Sequence, residues 1–240
     1  MSVLEIEHVG RVFRSGDMEV VGLDDVSLSV DVGEFVAIMG PSGSGKSTLL
    51  QVAGGLDVPT SGRVVLSGRD LSGLGPEELS LIRRRRIGFV FQSVNLLASL
   101  TAVENVSLPL ELDGIKPRTA IASARELLAS LDLGAAADRF PQQLSGGEQQ
   151  RVAIARAVVG GRSVLLADEP TGALDSLSGE SVMQLLRQQC ATGCAVVVVT
   201  HDPRHAAWAD RLVFLRDGRI VDDVAPPAGP ESILRPERVR

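Results

Sequence analysis

The most constraining stretch of this chain runs from Phe35 to Ala53. Phe35-Val36-Ala37-Ile38-Met39 is an almost unbroken apolar run, the pattern of a strand buried on both faces. It leads directly into Gly40-Pro41-Ser42-Gly43-Ser44-Gly45-Lys46-Ser47-Thr48 and then into the helix-like Leu49 to Ala53, which Gly54-Gly55 can stop. The loop fits G-x-x-x-x-G-K-S/T. Its glycines let backbone N–H groups turn inward around an anion. The start of the following helix adds positive potential. Lys46 supplies a mobile charge for phosphate oxygens, and Ser47 a hydroxyl for Mg²⁺. Alone, such a loop could be a glycine-rich turn with a surface lysine. The strand before it and the helix after it favour a phosphate cradle.

Two further apolar runs resemble Phe35 to Met39, namely Ser163 to Ala167 and Cys194 to Val199. Each ends in polar residues, Asp168-Glu169 and Thr200-His201-Asp202. Helical patterns at Glu148 to Val159 and Gly179 to Gln189 separate them, which predicts a mostly parallel sheet of an α/β fold. In such sheets ligands bind beyond the carboxyl ends of the strands, where all three polar sets would lie. Asp168 is then suited to hold Mg²⁺, directly or through water. Glu169 is suited to orient or deprotonate an attacking water. Acidic residues after a strand are also common turn formers, and a lone His at a strand end is most often a turn residue. The phosphate loop is what favours the chemical reading.

The first thirty residues alternate polar and apolar. They predict short antiparallel strands with turns at Ser15-Gly16-Asp17 and Asp31-Val32-Gly33. From about Gln92 to Gly160 the pattern is helical, with one segment opening at Thr101 to Asn105 and an amphipathic run from Arg118 to Leu131. Leu144 to Arg151 reads LSGGEQQR, in which Ser145 and Glu148 make an S-x-x-E capping box before two glycines. This is a second anion-binding candidate, or simply a well-capped helix. Pro226 to Arg240, rich in proline and charge, reads as a loose tail.

Composition narrows the classes. Acidic residues number 30 against 24 basic, a net charge of -6, so a protein that coats nucleic acid is disfavoured. The cysteines, Cys190 and Cys194, exclude a disulfide scaffold. Without a nearby Cys/His pair they make a poor zinc site and read as packing residues. Arg83 to Arg86 reads as a solvated charged face that lipid headgroups could approach. No run approaches the roughly 18–20 apolar residues that span a bilayer, and MSVLEIEHVG lacks the pattern of a secretory signal. The expectation is a soluble, intracellular chain that can dock on a membrane component.

Together these residues resemble the nucleotide-binding subunit of an ABC transporter, over nearly the whole chain. Gly40 to Thr48 is similar to the Walker A motif, Val164 to Glu169 to Walker B, and LSGGE at Leu144 to Glu148 to the signature. Gln92 matches the Q-loop glutamine, Ala173-Leu174-Asp175 the D-loop and His201 the switch histidine. The resemblance implies a P-loop NTPase (RecA-like) core with a mostly parallel sheet, an N-terminal antiparallel β subdomain and an inserted α-helical subdomain. It implies an ABC-type ATP-binding domain over 1–225, with about 92–160 as the helical insertion, and a flexible tail over 226–240. It implies ATP and Mg²⁺ as cofactors. Gly40, Pro41, Ser42, Gly43, Ser44, Gly45, Lys46, Ser47 and Thr48 would bind nucleotide; Ser47, Gln92 and Asp168 would meet the metal; Glu169, His201 and Gln92 would serve catalysis. Phe13 stands where the family stacks adenine on an aromatic ring, often Tyr. Gly172 stands where the family often has Ser or Asn before the D-loop. The family works as a head-to-tail dimer, so Ser145 and Gly147 would complete the site of a second copy or a related ATPase subunit; Asp175, in the D-loop, would also bind nucleotide.

The stretches Phe91 to Leu97, Leu100 to Val106 and Leu108-Pro109-Leu110 resemble one subgroup, the ATPases that serve lipoprotein release, macrolide and antimicrobial-peptide export, and cell division. That likeness implies an integral membrane permease docked near Gln92 to Leu110, and a cytoplasmic, peripheral location. The alternatives are a soluble ABC ATPase acting on DNA or the ribosome, and a regulatory one such as a mechanical activator of cell-wall hydrolases.

Overall fold

A computed structural model describes residues 1–16, 18–172, 174 and 176–225, without the side chains of Ser15, Ser176 and Leu177. Strands β1 (Ser2–Ser15) and β2 (Met18–Asp31) pair antiparallel. Next come β3 (Phe35–Met39), α1 (Lys46–Ala53), β4 (Ser61–Leu66), β5 (Arg69–Asp70), α2 (Pro76–Arg86) and β6 (Ile87–Val90). Helices α3 (Ala102–Leu112), α4 (Pro117–Ser130) and α5 (Gly146–Val158) follow. The chain then returns through β7 (Val164–Asp168), α6 (Ser176–Ala191), β8 (Ala195–Val199), α7 (Pro203–Ala206), β9 (Arg211–Arg216) and β10 (Arg219–Val224).

The strands form two sheets, ordered β2-β1-β4-β5 and β10-β9-β3-β8-β7-β6. The second is parallel from β6 to β9, with β10 antiparallel at its edge. The apolar runs that predicted buried strands are β3, β7 and β8, and β8 is buried along its whole length. Register decides the site. Ile38 and Asp168 both pair with Val199, so the three strands end level at one carboxyl edge.

The N-terminal strands differ from the expectation of short ones. Each is fourteen residues long. Register shifts between Ile6 and Val12 interrupt their pairing, and His8 and Asp25 take positive φ of 50° and 56°; the expected turns lie where predicted, at Gly16 between the strands and at Val32-Gly33 after them. Arg83 to Arg86 are only in part the expected solvated face: Arg85 and Arg86 are exposed, but Arg83, Arg84 and Arg85 are also tied to neighbours. Arg83 donates to the Gly55 carbonyl at 2.7 Å, and Arg84 and Arg85 reach Asp113 at 3.6 and 2.5 Å. The run joins α2 to the loop after α1 and to the end of α3.

Three apolar clusters hold the molecule. One fills the space between the two sheets and α1, with Leu4, Val26, Ile38 and Leu50. A second lies on the other face of the parallel sheet under α5 and α6, with Phe35, Ile154, Leu165 and Met183. A third is internal to the helical insertion, with Val103, Val106, Leu128 and Val152. Cys190 and Cys194 pack in the second cluster as free thiols. Burial pushes them up to about 11 and about 12, so both are neutral and unreactive at pH 7.

Candidate active site

A cleft of about 460 Å³ opens at the carboxyl edge of the parallel sheet, in the size range of small-ligand sites. The loop from β3 to α1 forms its floor. Gly40, Gly43 and Gly45 take φ of 155°, 80° and 100°, conformations that favour glycine. A Cβ on Gly40 would lie 2.0 Å from the Leu215 carbonyl oxygen, and one on Gly45 would lie 2.3 Å from that of Gly22. The loop is therefore clamped between β9 and the β1–β2 ribbon. Gly218 in the β9–β10 turn donates to the Ser44 carbonyl at 3.0 Å and accepts from Asp24 N at 2.8 Å.

Lys46 folds back over this loop. Its Nζ donates to the carbonyls of Gly40 and Pro41 at 2.8 and 2.7 Å. These acceptors are neutral and leave the ammonium charge available to an anion, with the Asp168 carboxylate nearby. Gly40, Ser42, Gly43, Gly45, Lys46, Ser47 and Thr48 line the cleft. Pro41 contributes its carbonyl to Lys46 instead, and Ser44 is buried with no hydrogen-bond partner for its Oγ.

The opposite wall carries Gln92, Asp168, Glu169 and His201. Asp168 is half-buried at the end of β7 and within hydrogen-bonding reach of Ser47. Its burial raises its pKa, opposed by the bond from Ser47. Glu169 takes φ of 46°, a left-handed backbone in which a non-glycine residue is strained. Its amide donates to the Val199 carbonyl at 2.9 Å, and its Oε1 lies 2.7 Å from His201 Nδ1. The carboxylate is well covered while the imidazole is open to solvent. The hydrogen bond to Glu169 and its negative charge raise the His201 pKa above 6.5. Ser47, Gln92 and Asp168 offer only oxygen ligands, a set suited to a hard cation.

Phe13 closes the far end of the cleft with Val20, Val21 and Gly22. It is 38% exposed rather than a core residue. Arg11 covers one face of the ring at 4.6 Å and is itself held by Asp57 at 2.7 Å. A flat base can therefore stack on one face only. A Cβ on Gly22 would meet the ring edge at 2.7 Å, so Gly22 makes room for Phe13. Sequence reasoning missed Val20, Val21, Gly22 and Arg11; a glycine in an otherwise well-formed strand was their one visible signal.

Ser145 and Gly147 do not line this cleft. Ser145 is exposed and caps α5: its Oγ accepts from Glu148 N at 3.2 Å, and Glu148 Oε2 accepts from Ser145 N at 2.7 Å. Gly147 faces Leu174, which would meet its Cβ at 3.3 Å. Asp175 and Ala173 lie outside the described residues.

Residues 23–172 match the ABC transporter family profile. The chain belongs to that family. It is 52% identical over 227 residues to the macrolide export ATP-binding/permease protein MacB of Salmonella paratyphi A, covering 95% of this chain and 35% of that relative. It is 49% identical over 236 residues to the protein of that name from Azoarcus sp. (strain BH72), covering 98% of this chain and 36% of the relative. The chain thus spans about a third of the length of the curated relatives it matches. Among solved structures, it is similar to the ATP-binding cassette MJ0796 in a dimeric post-hydrolysis state bound to ADP and Pi. The TM-score is 0.88 at 43% identity, over 92% of this chain and 98% of that one. A second dimeric structure of MJ0796 matches with the same TM-score at 44% identity. This ABC cassette thus aligns over 92% of its length with a solved ATP-binding cassette, and over 95% of its length with about a third of a macrolide export ATP-binding/permease protein.

Proposed function

We propose that this cassette binds and hydrolyses ATP as half of a head-to-tail dimer and thereby drives a membrane permease, carried on the same polypeptide or on another. One observation carries the reading: one cleft brings Lys46, Asp168, Glu169 and His201 together, while Ser145, which is exposed, and Gly147 lie outside it. In the proposed assembly Ser145, Gly147 and Asp175 of one copy complete the cleft of the other. The dimeric MJ0796 structures support this arrangement. The likeness to MacB proteins supports a permease partner of export type over a soluble ATPase acting on nucleic acid. Among the described residues no helix is long and apolar enough to cross a membrane, so in this reading membrane attachment comes from the permease, on its cytoplasmic face near Gln92 to Leu110. Residues 1–225 would form the ABC-type domain, with about 92–160 as its helical insertion.

The proposed roles follow from position. The backbone of the loop after β3, the start of α1 and Lys46 bind the phosphates. Phe13 stacks the base on its open face. Ser47, Asp168 and Gln92 would hold Mg²⁺, which neutralises phosphate charge when bound. Glu169 takes a proton from the attacking water as that water adds to the γ-phosphorus and the bond to the bridging oxygen breaks, releasing ADP. His201 first gives up its contact with Glu169 and then donates to the γ-phosphate. Closure on ATP and opening after hydrolysis is a population shift that the permease senses.

Glu169→Gln tests the reading. The variant keeps ATP affinity, loses turnover by several orders of magnitude and accumulates as an ATP-bound dimer in light scattering. Turnover at the parent rate would refute the assignment of Glu169. Lys46→Ala provides a second check, since unchanged nucleotide affinity in a titration would refute the phosphate loop.

A further inference from the structure

The loop that carries Glu169 and the loop that carries His201 are joined a second time, outside the nucleotide cleft. Thr171 follows Glu169 by two residues and His205 follows His201 by four. The Thr171 Oγ1 lies 2.9 Å from His205 Nδ1. Both partners are sheltered, Thr171 at 6% exposure and the His205 side chain at 14%. Thr171 lies inside the turn that leaves Glu169: Gly172 N donates to the Glu169 carbonyl at 3.1 Å, and Leu174 N to the Thr171 carbonyl at 3.0 Å. His205 is fixed on α7, whose start is capped by Asp202 accepting from Arg204 N at 2.9 Å. The far side is closed by α6. A Cβ on Gly179 would lie 3.4 Å from His205 Nε2 and 3.7 Å from Thr171 Cβ, so glycine lets the helix approach the pair. A cavity of about 230 Å³ joins Glu169 and His201 to these residues.

The geometry points to His205 as a positioning residue that, through Thr171, keeps the strained Glu169 loop in register with the His201 loop. This inference rests on the roles proposed above for Glu169 and His201. While His201 touches Glu169, the two loops hold each other directly. When His201 turns to the nucleotide that side-chain contact is lost; the Glu169 amide stays bonded to the Val199 carbonyl, and the Thr171–His205 bond is what still ties the turn beyond the strained Glu169 to the His201 loop. The Thr171–His205 bond lies clear of the nucleotide cleft and can persist. Burial lowers the His205 pKa, so the ring stays neutral, and its Nδ1 can meet the Thr171 hydroxyl either as donor or as acceptor, since a hydroxyl serves as both.

The test compares His205→Ala, His205→Asn, Thr171→Val and the His205→Ala/Thr171→Val double variant in steady-state ATP hydrolysis, with nucleotide affinity and Tm measured beside it. Misplacing a reacting group by a fraction of an ångström lowers kcat while leaving binding intact, so the Ala and Val variants should each lose roughly tenfold in kcat with KM nearly unchanged. The double variant should be no slower than the slower single one, because both remove the same bond. His205→Asn places an amide near Nδ1 and should recover most of the rate. The inference is overturned if Thr171→Val turns over at the parent rate, if the two losses multiply, or if the Asn variant is as slow as the Ala variant at equal Tm. Should His205→Ala fail to fold, the Thr171→Val and Asn variants decide. Absence of ATP turnover in the parent chain would instead sink the underlying functional reading.

Discussion

The residues with the least freedom in this molecule are glycines and one carboxylate. Gly45 combines a φ of 100° with a backbone neighbour 2.3 Å from where a Cβ would stand. Gly45→Ala should therefore cost about 1–3 kcal/mol of stability and abolish nucleotide binding, as thermal melting with and without ATP would show. Melting at the parent temperature would mean that the loop relaxes. Glu169 invites a subtler measurement through its partner. The His201 pKa is raised above 6.5 in the folded chain, first by its hydrogen bond to Glu169 and then by that charge. Its contribution to stability is fully present below the unfolded value and fades as pH rises through the folded value. It is modest, since the ring is exposed to solvent. In an NMR titration His201 should change protonation above pH 6.5, and Glu169→Gln should move the midpoint back towards it. An unmoved midpoint would contradict the contact.

At the scale of elements, α5 does most to connect the site. Ile154, Ala157 and Val158 pack into the cluster beneath the sheet, while Val152 and Ala155, with Val159 just past the helix end, pack into the helical insertion. Its polar residues reach the segments that follow Glu169 and Gln92. Gln150 donates to the Pro170 carbonyl at 2.9 Å, and Arg156 donates to the carbonyl and side chain of Asn95 at 3.0 and 3.2 Å. One helix thus bears the signature at its start and touches the segments after Glu169 and after Gln92 along its length. The neighbouring α3 is set by Asn105, fully buried, which accepts from Leu97 N and donates to the carbonyls of Leu97, Leu100 and Thr101. Ser145→Ala removes an N-cap and should cost about 1 kcal/mol. In the proposed dimer it should also cut hydrolysis while sparing ATP binding by the monomer. Full hydrolysis by that variant would argue against a shared site.

Across the whole molecule, the helical insertion has its own apolar cluster and meets the core mainly through α5. A site shared between copies has a kinetic consequence. Per-subunit turnover should fall as the protein is diluted below its dimerisation constant, and the Glu169→Gln variant should pass from monomer to dimer on adding ATP. A rate independent of concentration, with the protein monomeric throughout, would show that one chain encloses its own nucleotide.

The sequence by itself determined the buried strands, because Phe35 to Met39, Val164 to Ala167 and Ala195 to Val199 are apolar on both faces and no other element accommodates such short runs between capped helices. It also determined the phosphate loop and the cap of α5, since left-handed glycines and the reciprocal bonds of Ser145 and Glu148 act within a few residues. Only the tertiary structure decided which of these residues share a site. The level ends of β3, β7 and β8, the clamp of Gly218 on Ser44, the contact of Glu169 with His201 and the bond of Thr171 to His205 join residues far apart in the chain. The long β1–β2 ribbon and the internal pairing of Arg84 and Arg85 with Asp113 belong to the same class. Local pattern records what a segment prefers. Strand register and packing against distant segments set which preferences meet, and those are free energies of the folded whole.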